Sequence, residues 1–212
     1  MSVLNDYLTE IQDIAQDKAP NVSFPDKVKG AFLRALECYN QDRPLIKVVE
    51  VAATESGDVP LASLTGYAYE FSDQIDIEYP INDVWEPRYL DRSAWMFLRK
   101  PSGLLVRLLS RPPAGELIRF TYPIPHVVDD NGSTVPATDF YALCKKGAAE
   151  VLKMISRSKA GNTENTFLNA DIAQFGQQQD KYRTAARDLD REYAEHMAKS
   201  VKPVSSTMVV RS

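Results

Sequence analysis

Apolar positions recur at helical spacing near both ends of this chain and at strand-like spacing through its middle. Leu4, Tyr7, Leu8, Ile11, Ile14 and Ala15 lie mostly three or four residues apart, which predicts an amphipathic helix over residues 3–17, ended by Pro20. Phe24-Pro25-Asp26 opens a second helix. Proline suits a first turn, where its missing N–H has no helical acceptor to lose, and an aspartate there faces the positive end of the helix dipole. Val28, Ala31, Phe32, Ala35, Leu36 and Tyr39 make its apolar stripe.

The period changes after Pro44. Ile46, Val48 and Val49 read as a strand, and Glu55-Ser56-Gly57-Asp58 as a turn. From Gln74 to Tyr79 the residues alternate, with Ile75, Ile77 and Tyr79 on an inner face and Gln74, Asp76 and Glu78 on a wet one. Trp95 to Arg99, Leu104 to Leu109 and Glu116 to Tyr122 add three strands. Pro101-Ser102-Gly103 and Pro112-Pro113-Ala114-Gly115 separate them at hairpin-like spacing, predicting an antiparallel sheet or sandwich of about five or six strands.

Helical spacing returns after Asn131-Gly132 and Val135-Pro136. Thr138 or Asp139 can cap a helix whose stripe is Phe140, Leu143, Cys144, Gly147, Ala148, Val151, Leu152 and Ile155. Gly147-Ala148-Ala149 is narrow enough to admit a neighbour, and the helix of residues 25–40 is the expected partner. After a polar loop at 158–165, Ile172, Phe175, Gln179, Tyr182, Ala186, Leu189 and Tyr193 form a heptad-like seam over residues 171–199. The expected fold is α+β: residues 1–43 and 131–199 form a helical body, 44–130 a β insert, and 200–212 an extended tail. That tail reads either as a disordered terminus or as a hook onto a neighbouring subunit.

Composition narrows the field. The 212 residues can bury a core without staples, and 44% hydrophobic with 25% charged residues is an ordinary globular balance. A net charge of -4 argues against a general nucleic-acid coat. Cys38 and Cys144, both within helical stripes, read as reduced, buried small hydrophobes, with a disulfide between them left open. Neither a signal-peptide pattern at the first residues nor a membrane-length apolar run is seen, so synthesis and assembly in a cytoplasm are expected.

No nucleotide-loop, hydrolase-elbow or zinc-protease motif occurs, and neither His126 nor His196 has a ligand at metal spacing. Both read as surface or interface histidines. Cys144 lies in an apolar stripe, a poor place for a thiol nucleophile. Asp76 and Glu78 could mimic an acid pair, but same-face carboxylates on a strand are more often solvated. Trp85, Trp95, Tyr67, Tyr69 and Tyr89 could line a sugar platform or simply pack the insert. No catalytic residue, cofactor or metal is expected.

Charge is unevenly spread. Between Glu70 and Asp91 the acids Glu70, Asp73, Asp76, Glu78, Asp83, Glu86 and Asp91 face Arg88 alone. Between Arg92 and Arg119 the cations Arg92, Arg99, Lys100, Arg107, Arg111 and Arg119 face Glu116 alone. Neighbouring strands can pair these charges internally. Alternatively, an acidic edge meets the basic edge of the next subunit in a ring, with Asp73, Asp76, Glu78, Arg99, Arg107 and Arg119 as contacts.

One series of segments resembles a known family. Asp42-Arg43-Pro44 follows a helix, then Phe71-Ser72-Asp73-Gln74-Ile75-Asp76-Ile77-Glu78-Tyr79-Pro80, then Pro87 to Leu90 and the strand from Gly103 to Leu109. Gly115-Glu116-Leu117-Ile118-Arg119-Phe120-Thr121-Tyr122, Pro125-His126 and Val135-Pro136 complete the series. It resembles structural proteins of tailed bacteriophages, most closely the head-to-tail connector, or neck adaptor, class, over residues 25–157.

The resemblance implies a non-enzymatic virion protein of the neck, assembled in the host cytoplasm without a membrane. It implies a ring, a dodecamer by family analogy, that joins the portal protein to the tail or next neck protein. DNA would pass through the lumen without specific binding. The tail would supply the interface with portal or neighbour through Val201, Lys202, Pro203, Val204, Met208, Val209, Val210 and Arg211. Competing expectations are a tail-completion or baseplate protein, an enzyme or carbohydrate-binding module built on the insert's aromatics, and direct nucleic-acid binding by Arg92–Arg119.

Overall fold

Two hydrophobic cores form, and the chain divides accordingly. In the computed structural model, which describes residues 3–18, 25–72, 74–81, 88–101, 103–161 and 169–200, one compact unit comprises Met1–Asp42 with His126–Ser212, and the other Arg43–Pro125. The fold is α+β.

The helical unit contains α1 (Val3–Lys18), α2 (Pro25–Asp42), α3 (Phe140–Gly161) and α4 (Asn169–Ser200). Its core joins Tyr7, Ile11 and Ala15 of α1 to the whole stripe of α2, from Val28 to Tyr39. Leu143, Cys144, Ala148, Val151, Leu152 and Ile155 of α3 complete it with Tyr182, Ala186, Leu189 and Tyr193 of α4. The helical periodicities therefore name the buried faces correctly. Ile172 and Phe175 belong to the part of α4 whose side chains are not described.

The small residues of α3 admit two neighbours. Besides α2, α1 comes in close at Gly147, where a Cβ would stand 2.5 Å from Cδ1 of Ile11. Residues 126–130, expected within the insert, pack with the helices: the Leu4 N–H donates to the Asp129 carbonyl at 3.1 Å. Cys38 is half-buried and Cys144 buried, and both are free thiols. Burial, then the nearby Glu10 charge, pushes the Cys144 thiol up.

The β unit contains β1 (Leu45–Ala52), β2 (Asp58–Pro60), β3 (Asp76–Glu78), β4 (Trp95–Lys100), β5 (Gly103–Leu108) and β6 (Leu117–Ile124). They form two three-stranded antiparallel sheets, ordered β1-β6-β3 and β2-β5-β4. Both contribute to one core of Val59, Ile75, Ile77, Trp95, Val106, Leu108, Ile118, Phe120 and Tyr122.

The Gly103 turn closes the expected hairpin, with Lys100 opposite Gly103. Pro112 to Gly115 does not, because β5 and β6 lie in different sheets. The Gly115 N–H donates instead to the Ala53 carbonyl at 3.0 Å, and the Ala53 N–H to Glu116 at 2.8 Å. That turn thus ties β6 to the end of β1 and carries the chain from one sheet to the other.

Candidate interaction sites

Several charges of the β unit are matched within it. Asp58 on β2 is opposite Arg107 on β5. Its carboxylate accepts from Arg107 Nε at 2.6 Å and Nη2 at 2.9 Å, and from Lys100 Nζ at 2.7 Å. The Arg107 hydrogen bond, opposed by burial and helped by Lys100, holds the Asp58 carboxyl well below the usual carboxylate range.

Arg119 plays a similar part on the central strand β6, with Glu50 opposite it on β1 and Glu78 opposite it on β3. Its guanidinium donates to Glu50 at 2.7 Å and to Glu78 at 3.0 Å. Glu78 is only 2% exposed, which corrects its expected place on a wet strand face. Its carboxylate is turned to Arg119, and a further segment flanks the strand: a bridge pairs Glu78 with Tyr89, and the Leu90 N–H donates to Ile77 at 2.7 Å, so residues 89–90 run beside β3.

Of the six residues expected at a ring contact, Glu78, Arg107 and Arg119 are thus engaged inside their own unit. Asp76 and Arg99 are exposed, and Asp73 lies outside the described residues. Trp95 is a core residue, edge-on to Phe97 with the Arg92 guanidinium 3.8 Å above its ring, while Tyr69 and Tyr89 are exposed. Trp85 lies outside the described residues. The same unit leaves Ile46 and Val48 exposed on β1, at the end of its sheet.

Of the two histidines expected at a surface or interface, His196 stays part-exposed, whereas His126 does not lie at the surface. His126 is buried; its N–H donates to Asn40 Oδ1 at 2.8 Å and its ring packs against Tyr39. His196, near the end of α4, lies 3.0 Å from Asp139 Oδ1. Asp139, one of two proposed helix caps, is buried in a short 3-10 turn leading into α3 and accepts from the Tyr39 hydroxyl at 2.6 Å. It links α2, α3 and α4, a structural role for a carboxylate that sequence spacing does not reveal.

A cationic cleft lies between α3 and α4. Lys153, Ser156 and Arg157 line it from α3, and Gln179, Arg183, Ala186 and Arg187 from α4, around about 400 Å³. Lys153 with Arg157, and Arg183 with Arg187, are four apart, so each pair shares a helix face. Lys153 is already engaged by Glu150 and Asp190, each at 2.7 Å, and Asp190 also accepts from Lys146 at 2.9 Å. Burial pushes the Asp190 carboxyl up, but Lys153 and Lys146 outweigh it and leave it lowered. Among the described residues, no carboxylate pairs with Arg157, Arg183 or Arg187. Sequence reasoning missed this cleft because it followed runs of charge in the insert; the only available signal was the pair of i, i+4 cation spacings on two separate helices.

The tail positions Val201, Lys202, Pro203, Val204, Met208, Val209, Val210 and Arg211 lie outside the described residues. Among the described residues, no group of acidic, histidine or cysteine side chains has the arrangement of a metal site, and no helix is long and apolar enough to cross a membrane. No family model and no curated protein matches the chain.

Proposed function

We propose that this chain is a structural protein of a tailed-bacteriophage virion, a head-to-tail connector that forms a ring joining the portal to the tail and lets DNA pass. The observation that carries the reading is the helical unit built from both ends of the chain, with the β unit inserted as Arg43–Pro125. That is the arrangement implied by the resemblance across residues 25–157. An exposed apolar strand at a sheet end, with Ile46 and Val48 outward, adds support, because such edges favour pairing with another chain.

In this reading the work is binding and sealing, without a cofactor. The partners are the portal, the tail or next neck protein, and other copies of the chain. The tail of residues 200–212 anchors into the portal or a neighbour. A tail-completion or baseplate role would use the same β unit in a ring of lower symmetry. A glycan-binding role loses ground because Trp95 is committed to the core.

Electron microscopy of virus particles with this gene disrupted tests the proposal. DNA-filled or leaking heads beside finished free tails are the expected result. Joined particles of normal appearance would overturn it.

A further inference from the structure

The interhelical cleft has more positive charge than its own unit neutralises. Three guanidiniums, those of Arg157, Arg183 and Arg187, border about 400 Å³ of recessed space and have no carboxylate partner among the described residues. Guanidinium forks suit planar oxyanions, and several converging on one cleft select a ligand with more than one negative charge. The chain itself carries exposed carboxylates. Glu70, Asp76 and Asp91 are exposed on the β unit, and among the described residues none of them takes part in an ion pair.

Part of the basic edge expected at Arg92–Arg119 is already spent within its own unit, although Arg99 and Arg111 stay exposed. Arg107 is held by Asp58, and Arg119 by Glu50 and Glu78. The helical unit adds a recessed counterpart, with three guanidiniums gathered in one cleft. We propose that the α3–α4 cleft is a docking site for a second copy of this chain, receiving exposed carboxylates of its β unit from among Glu70, Asp76 and Asp91. The contact joins two different surfaces, so each copy keeps one of each free for the next, as a head-to-tail assembly requires. It names the partner of the cleft within the ring reading given above, on which it rests.

A nucleic-acid backbone is the less favoured occupant. Among the described residues the lining has no aromatic side chain for a base to stack on, and its four described cations make a short track for a polymer with a phosphate at every step.

Charge exchange in the full-length protein provides the test. One variant carries Arg183→Glu with Arg187→Glu, and another Glu70→Lys, Asp76→Lys and Asp91→Lys. All five positions are exposed, so both variants should keep the wild-type circular dichroism and unfolding midpoint. Sedimentation is measured from low salt up to about 1 M, where the screening length falls to about 3 Å.

The wild type is expected to self-associate at low salt and come apart at high salt. Each variant alone should associate about tenfold or more weakly, since like charges then face each other. An equimolar mixture of the two should associate again, because each reversed surface meets its opposite on the other chain. Folded variants that associate like the wild type would overturn the proposal, as would a mixture that stays apart or a wild type with no salt-sensitive association. Binding of pyrophosphate or a DNA oligonucleotide that is lost with Arg183→Glu and Arg187→Glu, without self-association, would assign the cleft to phosphate instead. The particle experiment reads the connector role independently, so a failure of that reading and a failure of the cleft contact can be told apart.

Discussion

Ile11 on α1 occupies the space that a side chain on Gly147 of α3 would need. A Cβ on Gly147 would lie 2.5 Å from Ile11 Cδ1 and 2.9 Å from Cγ1. Ile11 is fully buried and β-branched, so it has little room to turn away.

Gly147→Ala should therefore destabilise the protein despite alanine's better helix propensity. Overpacking costs about 1–3 kcal/mol, against a propensity gain of about 1 kcal/mol, leaving a net loss of about 1 kcal/mol. Combining it with Ile11→Val, which removes Cδ1, should recover part of that loss relative to the sum of the single changes. Gly30 on α2 is the contrast, with nothing within 4 Å of its added Cβ. Gly30→Ala should stabilise by about 0.5–1 kcal/mol. Denaturant unfolding of the four variants checks these signs, and an unchanged midpoint for Gly147→Ala would mean that α1 yields easily.

Tyr39 and Asp139 give a second stability test. The Tyr39 hydroxyl donates to a carboxylate that is 1% exposed. Tyr39→Phe keeps the ring and removes the donor, which should cost about 1–3 kcal/mol. Asp139→Ala should cost at least as much, since it removes the acceptor shared with His196. Equal stability of Tyr39→Phe and wild type would show that the hydroxyl contributes no net stability.

The Asp58 node predicts a pH dependence with a definite sign. Arg107, with help from Lys100, depresses the folded-state pKa of Asp58 below its unfolded value. Its contribution to stability is then fully present above about pH 4, the ordinary aspartate value, and is lost as pH falls through the depressed folded value. Wild type should exceed Asp58→Asn in stability by a constant margin near neutrality, and that margin should shrink in acid below about pH 4. Unfolding midpoints of both proteins across the acid range measure it. A margin independent of pH would mean that the ion pairs contribute nothing net.

Removing residues 201–212 should leave the helical unit folded, because Tyr182, Ala186, Leu189 and Tyr193 already fasten α4 into its core. Under the connector proposal the truncated chain should bind the portal about tenfold or more weakly, as expected when an anchoring segment is lost. Portal binding at full strength would remove the anchoring role from Val201–Val204 and Met208–Arg211.

Helix faces were the most legible part of this chain. Val28 to Tyr39 and Leu143 to Ile155 repeat at three and four residues, and burial of one face follows from that repeat alone. Strand positions were nearly as legible, because Pro and Gly mark where pairing must stop. Strand partners were not. Pro112 to Gly115 looks like a hairpin turn by local chemistry, but the Gly115 N–H donates to Ala53, far away in the chain. Glu78 looked wet because alternation describes one strand and is blind to the segment running beside it.

The sequence by itself determined the α+β order, the apolar stripes and the break between helical and strand periods. These depend on neighbours a few residues apart, where chain geometry dictates which side chains share a face. Tertiary structure alone decided that Asp58, Glu78 and Asp139 are buried, that Arg107 and Arg119 are matched inside the β unit, and that Arg157 comes beside Arg183 and Arg187. A charge's role depends on which opposite charge reaches it and how much water remains, and both are set by segments distant in sequence.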